Sequence, residues 1–294
     1  MEPIVQYYVC ACALSDVGRV REHNEDFFII ANLSRKGMHR ESNGLLRFPS
    51  GPQGSLFTVA DGMGGAAAGE IASKLGVQTL YRELQELIPT CDASEEDALE
   101  EILIEAVGAS NRHIYELSTR KRELRGMGTT LTIVLELNGR LIIGQIGDSR
   151  AYLLRGDFLR QLTRDQTLVA QRVSAGFLTE EEARRHPERN VLLQALGVTD
   201  SVEVGLSRVT LYPGDIVLLC SDGLHGLMSS DEVYGTIAKS SGLEDACQRL
   251  VGLANSRGGP DNITAVIAQF LPARSMGFYG AIEQEDDYGL FDLH

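Results

Sequence analysis

The chain has 294 residues, 43% hydrophobic and 23% charged, which is ordinary for a globular protein and long enough to bury a sizeable core without staples. Its net charge of −14 argues against a nucleic-acid partner held on a general basic surface. No stretch reaches the roughly 18 apolar residues of a membrane helix, and residues 1–13 lack the basic start of a signal peptide.

The five cysteines, Cys10, Cys12, Cys91, Cys220 and Cys247, form no CxxC pair and have no histidine at zinc spacing. They fit a reducing compartment, so a cytoplasmic protein, monomeric and away from membranes, is expected. Short, often β-branched apolar runs at 27–33, 56–60, 131–137, 141–146, 151–154, 216–220 and 263–270 read as strands. Asn138-Gly139 and Arg155-Gly156-Asp157 are hairpin signals, so mainly antiparallel sheets are predicted.

Between the first strands, residues 34–54 are rich in Gly, Ser, Arg and Pro and read as a long surface loop. Residues 70–87 place Ile71, Leu75, Leu80, Leu84 and Leu87 near helical spacing. Ser94-Glu95-Glu96-Asp97 looks like a capping box and leads into Leu99, Ile102, Leu103, Ala106, Val107, Ile114 and Leu117, a second helix. The polar stretch 167–190, with Thr179-Glu180-Glu181-Glu182 opening a helix, reads as a mobile flap beside a site. Two further helices are predicted at 231–238 and 243–255, and after Pro272 an acidic tail carries Glu283, Glu285, Asp286, Asp287 and Asp292. Strands, then paired helices, then strands again predict an α+β fold.

The informative pattern is how the strands stop. Asp61-Gly62 follows the run 56–60, Asp148-Ser149 follows 141–147, and Asp222-Gly223 follows 216–221; Glu25-Asp26 and Asp261-Asn262 each precede a strand. One Asp-Gly alone is a turn. Several strand-end carboxylates that converge repel one another and must lose charge or bind cations, and oxygen ligands without a His/Cys cluster select Mg²⁺ or Mn²⁺. Two such ions, bridged by one carboxylate, activate a water for in-line attack on phosphorus. A guanidinium for the phosphate is also needed; Arg21 is the candidate and Arg19 its competitor.

These residues resemble the PPM family, the metal-dependent PP2C-type protein phosphatases, of bacterial type. The likeness rests on Ser15 to Asp26 (SDVGRVREHNED), Val59 to Gly65 (VADGMGG), Gly126 to Thr130, Ile146 to Arg150, Cys220 to Leu224 and Gly259 to Thr264, in the family's order, and spans 8–271. The resemblance implies an α/β/β/α sandwich of two antiparallel sheets flanked by helix pairs, with the metals in a cleft at one sheet edge. It implies that Asp61 bridges two Mn²⁺ or Mg²⁺ ions and that the Gly62 carbonyl binds one of them. Asp222 and Asp261 then bind the other, Glu25 and Asp26 contact metal-bound waters or a metal, and Asp148 helps hold a third, weaker ion. Arg21 matches the phosphate-binding arginine, Asn262 orients the site, and 167–197 matches the flap. Catalysis is thus expected to centre on Asp61, Arg21 and Asp26.

The implied activity is hydrolysis of phosphoserine and phosphothreonine in proteins, opposing Ser/Thr kinases. A signalling module that kept the fold and lost turnover is disfavoured by the retained acids. A partner-switch phosphatase acting on an anti-sigma-factor antagonist is a substrate choice within the same chemistry. Met63 stands where animal members carry a histidine, so the general acid is unassigned. Asp165 and His225 also depart from the usual pattern and are expected to touch no ligand.

Overall fold

The alternating strands predicted from the sequence pair into two antiparallel sheets in the computed structural model, which describes residues 7–35, 44–90 and 96–272. In chain order, β1 (Tyr7–Asp16), β2 (Asp26–Asn32), β3 (Leu46–Pro49) and β4 (Ser55–Met63) precede α1 (Ala66–Leu87) and α2 (Glu96–Arg120). β5 (Gly128–Thr129), β6 (Leu131–Leu137), β7 (Arg140–Ile146), β8 (Arg150–Arg155) and β9 (Phe158–Gln161) follow. The short helices α3 (Leu168–Ser174) and α4 (Glu180–Arg185) lead to β10 (Gly205–Thr210) and β11 (Ile216–Cys220). The chain continues through α5 (Asp222–His225), α6 (Ser230–Ala238) and α7 (Leu243–Ser256) into β12 (Ile263–Pro272).

One sheet has the order β3-β1-β12-β11-β8-β9 and the other β10-β7-β6-β4-β2, with β5 attached to the end of β4. The period of two along each strand sorts side chains between layers. On β11, Val217 and Leu219 face the opposite sheet while Leu218 and Cys220 face the α6–α7 layer. On β6, Val134 joins the core between the sheets, and Leu131, Ile133 and Leu135 pack under α1 and α2. The result is the α/β/β/α order expected, with three apolar layers. Each fully buried leucine or isoleucine contributes about 1.5–3 kcal/mol.

The hairpins form where the turn residues place them. Asn138 and Gly139 both take positive φ, 52° and 77°, as a tight β6–β7 turn requires. α4 opens with a full capping box, Thr179 accepting from the Glu182 amide and Glu182 accepting from the Thr179 amide.

Two expectations change. The loop 34–54 contains a strand: Leu46–Pro49 pairs with β1 at the edge of the first sheet, with Phe48 buried in the core. The first helix begins at Ala66, four residues before the predicted start, because its opening turn is built of small residues with no amphipathic pattern. Cys91, the capping-box residues 94–95, part of the 34–54 insertion and the acidic tail beyond Pro272 lie outside the described residues. No helix among the described residues is long and apolar enough to cross a membrane.

Candidate active site

The strand-end acids meet at one end of the sandwich. Asp61, near the end of β4, is the register partner of Asp26 at the start of β2. Asp222 opens α5 directly after β11, and Asp261 lies just before β12, the antiparallel neighbour of β11. Asp148 lies between β7 and β8, where the chain passes from one sheet to the other. The acids therefore come from the shared end of both sheets, not from one sheet edge.

Their mutual fields show the convergence. The Asp61 carboxyl is held well above the usual carboxylate range by burial and then by Asp26, Asp222, Asp148 and Asp261. Burial raises Asp26 to about 7, with Asp222 and Asp261 adding to the rise and hydrogen bonds from Thr264 and Ser221 opposing it. Burial, then Asp222 and Asp165, pushes Asp148 up to about 8. Asp222 is raised by burial and by Asp261, and Glu25 is raised chiefly by burial. Among the described residues no three of these groups close on a single point.

Main-chain bonds fix the two central acids. The Asp61 amide donates to Thr130 Oγ1 (2.9 Å), and the Asp61 carbonyl accepts from the Thr130 amide and from Thr129 Oγ1 (both 2.9 Å). Residues Thr129 and Thr130 thus pack under Asp61. Asp26 Oδ2 accepts from Ser221 Oγ (2.7 Å) and Thr264 Oγ1 (2.6 Å), one hydroxyl from each neighbouring strand end of the opposite sheet. Neither hydroxyl was assigned a role from sequence. Their signal is adjacency: Ser221 precedes Asp222, and Thr264 follows Asn262 by two positions.

Asn262 orients the loop 17–25. Its Nδ2 donates to the carbonyls of Val17 (3.0 Å) and His23 (2.9 Å), and its Oδ1 accepts from the Glu25 amide (2.8 Å). His23 is a spacer whose carbonyl is used. The Gly62 amide donates to the Glu25 carbonyl (3.1 Å), and a Cβ at Gly62 would stand 2.2 Å from the Gly69 carbonyl oxygen. Only glycine admits this approach.

Arg21 donates from Nη2 to Asp261 Oδ2 (2.8 Å) and is about half exposed, so its guanidinium lies beside the acids and is open to solvent. Arg19 contributes its amide to the Gly259 carbonyl, and among the described residues its side chain has no ion-pair partner. Met63 is partly exposed beside Gly62 and has no proton to give.

The expectation that His225 touches no ligand residue is corrected, while Asp165 contacts Arg150 and Gln161 and no candidate ligand. His225 Nε2 donates to the Asp148 carbonyl (3.1 Å), which fixes the proton on Nε2. Burial, reinforced by Arg150, pushes the imidazole down to about 3, so it stays neutral. Asp165 takes both Nε and Nη2 of Arg150 (2.8 and 2.6 Å), and its charge contributes to the raised Asp148 carboxyl. A separate cavity of about 660 Å³ between α3 and the β7–β10 edge includes Asp165 but none of the candidate ligands.

The donor set suits hard divalent cations. Asp26 Oδ1 and Asp222 Oδ1 are buried with no hydrogen-bond partner, an arrangement that costs free energy unless a cation or proton satisfies it.

Comparison with known proteins identifies the family. Residues 44–266 match the family model for protein phosphatase 2C. The serine/threonine phosphatase stp of Listeria innocua is 35% identical over 255 residues, covering 87% of this chain and 93% of that protein. Among solved structures, the Mycobacterium tuberculosis serine/threonine phosphatase PstP/Ppp superposes with a TM-score of 0.74 at 37% identity, covering 90% of this chain and 99% of that one. The catalytic domain of the protein phosphatase PstP in complex with two manganese ions gives a TM-score of 0.71 at 35% identity, again covering 90% and 99%. The chain belongs to the protein phosphatase 2C family.

Proposed function

We propose that the chain hydrolyses phosphoserine and phosphothreonine esters of proteins at a pair of Mn²⁺ or Mg²⁺ ions, reversing the action of Ser/Thr kinases as a cytoplasmic monomer. The reading rests on one observation above all. Asp26, Asp61, Asp148, Asp222 and Asp261 are crowded at one end of the sandwich, and two of their buried oxygens lack any partner. Asp61, the Gly62 carbonyl, Asp222 and Asp261 would hold the two ions, with Glu25 and Asp26 behind them and Asp148 serving a third, weaker site. Bound cations supply the positive charge that offsets the acids and activates a water for attack on phosphorus.

The chain's own residues hold that arrangement in place. Thr129 and Thr130 fix the Asp61 backbone, Ser221 and Thr264 fix the Asp26 carboxylate, and Asn262 fixes the loop that carries Glu25 and Arg21. Arg21, half exposed beside Asp261, would present N–H groups to phosphate oxygens. Residues 8–271 form the phosphatase domain, with the flap at 167–197 shaping one side of the cleft and the insertion at 34–54 within it; the acidic tail 272–294 follows.

The test is phosphate release from para-nitrophenyl phosphate and from a phosphothreonine peptide, with Mn²⁺, with Mg²⁺ and with EDTA. Release from both substrates that needs the cation is expected. No cation-dependent release under any of these conditions would overturn the reading.

A further inference from the structure

In this acidic chain, residues 120–125 read Arg-Lys-Arg-Glu-Leu-Arg, four cations to one acid. They cover the end of α2 and the 3-10 turn Arg122–Leu124, which buried Leu124 anchors to the core. Arg120, Lys121, Arg122 and Arg125 are all exposed. Arg120 pairs with Glu116 one turn back (2.9 Å). Among the described residues Lys121, Arg122 and Arg125 have no ion-pair partner.

The position of this run gives it meaning. Arg125 borders a cavity of about 230 Å³ with Tyr115, Ser118, Gly126 and Val198. Val198 and Met63, both partly exposed, flank Gly128 on the far side of that notch. An apolar strip therefore leads from Arg125 to Met63, two positions after Asp61. Arg125 is also four residues before Thr129, whose hydroxyl bonds the Asp61 carbonyl. Four residues of chain span at most about 14 Å, so the Cα atoms of Arg125 and Thr129 lie within that distance.

We infer that the 120–125 run and the adjoining notch form a docking surface for an acidic peptide segment next to the phosphorylated residue of a protein substrate. This inference rests on the phosphatase reading and names the substrate class that it takes. An extended peptide needs no more than about four residues to run from Thr129, which is bonded to the Asp61 carbonyl, to Arg125. The rest of the surface, net negative, repels such a segment, so the three unpaired cations set the direction in which it lies. The Val198–Met63 strip receives the side chains between.

The test separates docking from turnover. Binding of an unphosphorylated, Asp/Glu-rich peptide is measured by fluorescence anisotropy for the full chain, for Arg122→Glu/Arg125→Glu, and for Arg160→Glu as a distant exposed control on β9. The double variant is expected to bind about tenfold more weakly, the control to match the wild type, and salt to weaken the wild type toward the variant. In parallel, the double variant should keep wild-type turnover of para-nitrophenyl phosphate but lose the preference for an acidic-flanked over a neutral-flanked phosphothreonine peptide, through KM and not kcat. Equal peptide binding by wild type and double variant, or equal loss in the Arg160→Glu control, would overturn the inference and leave the run a solvated face. Absence of para-nitrophenyl phosphate turnover in the wild type would instead sink the phosphatase reading, while the binding measurement still decides the docking surface.

Discussion

Asp26 and Asp61 face each other as register partners across the β2–β4 ladder, and the oxygen of Asp26 that is satisfied is satisfied from the other sheet. This single pair ties both sheets to the cleft. Ser221→Ala combined with Thr264→Val removes both hydroxyls that hold Asp26 Oδ2 while keeping the volume of the site nearly intact. The Mn²⁺ concentration for half-maximal phosphate release is expected to rise about tenfold or more, as for other residues that orient ligands from behind. An unchanged Mn²⁺ dependence would mean that Asp26 needs no such support.

The crowded acids also set a pH dependence for the cation-free chain. Asp26 and Asp148, raised mainly by burial to about 7 and about 8, titrate near 3.9, roughly, when unfolded. Between those limits the folded chain keeps protons that the unfolded chain has released. Stability is therefore full below the unfolded values, falls as pH rises through the folded ones, and then levels off. In EDTA the melting temperature should be lower at pH 8 than at pH 5.5, and Mn²⁺ should raise it more at pH 8, where fewer protons compete. A melting temperature in EDTA that is flat or rising over this window would contradict the assignment.

Gly223 follows a candidate ligand and leaves no room for a side chain. A Cβ there would stand 2.0 Å from the Asn262 carbonyl oxygen, a backbone atom that cannot swing away. Gly223→Ala should cost about 3 kcal/mol of stability, at the upper end for overpacking, measured by urea unfolding in EDTA. A loss within the error of that measurement would show that α5 can shift away from β12 at no cost.

Arg21 donates to Asp261 but is half exposed, so its removal should disturb cations less than substrate. Arg21→Ala is expected to raise KM for a phosphothreonine peptide by about 1–2 kcal/mol equivalent, near tenfold, with a smaller change in Mn²⁺ affinity. An unchanged KM would pass the phosphate-binding role to Arg19 or to a residue of 167–197.

Much of this was legible in the sequence because the signals are local. Asn138-Gly139 is a turn on its face, and each acid follows or precedes an apolar run that can only be a strand. What escaped needed contacts across the fold. Leu46–Pro49 has too few residues to show alternation and becomes a strand only because β1 offers an edge. Ser221 and Thr264 look like any small polar residues until β11 and β12 bring them to Asp26, 195 and 238 positions away. The contact of His225 escaped because its partner is a backbone carbonyl 77 positions off, and no side-chain pattern reports a carbonyl.

The most direct test of the whole site is Asp61→Asn beside the wild type, with Mn²⁺-dependent phosphate release from a phosphothreonine peptide as the readout and circular dichroism to establish that both are folded. The substitution keeps the size of the side chain and the main-chain bonds to Thr129 and Thr130, and removes the charge that would bridge two cations. Folded protein whose turnover falls to the level seen with EDTA is the expected result. Folded protein with near-normal Mn²⁺-dependent turnover would contradict the central role given to Asp61.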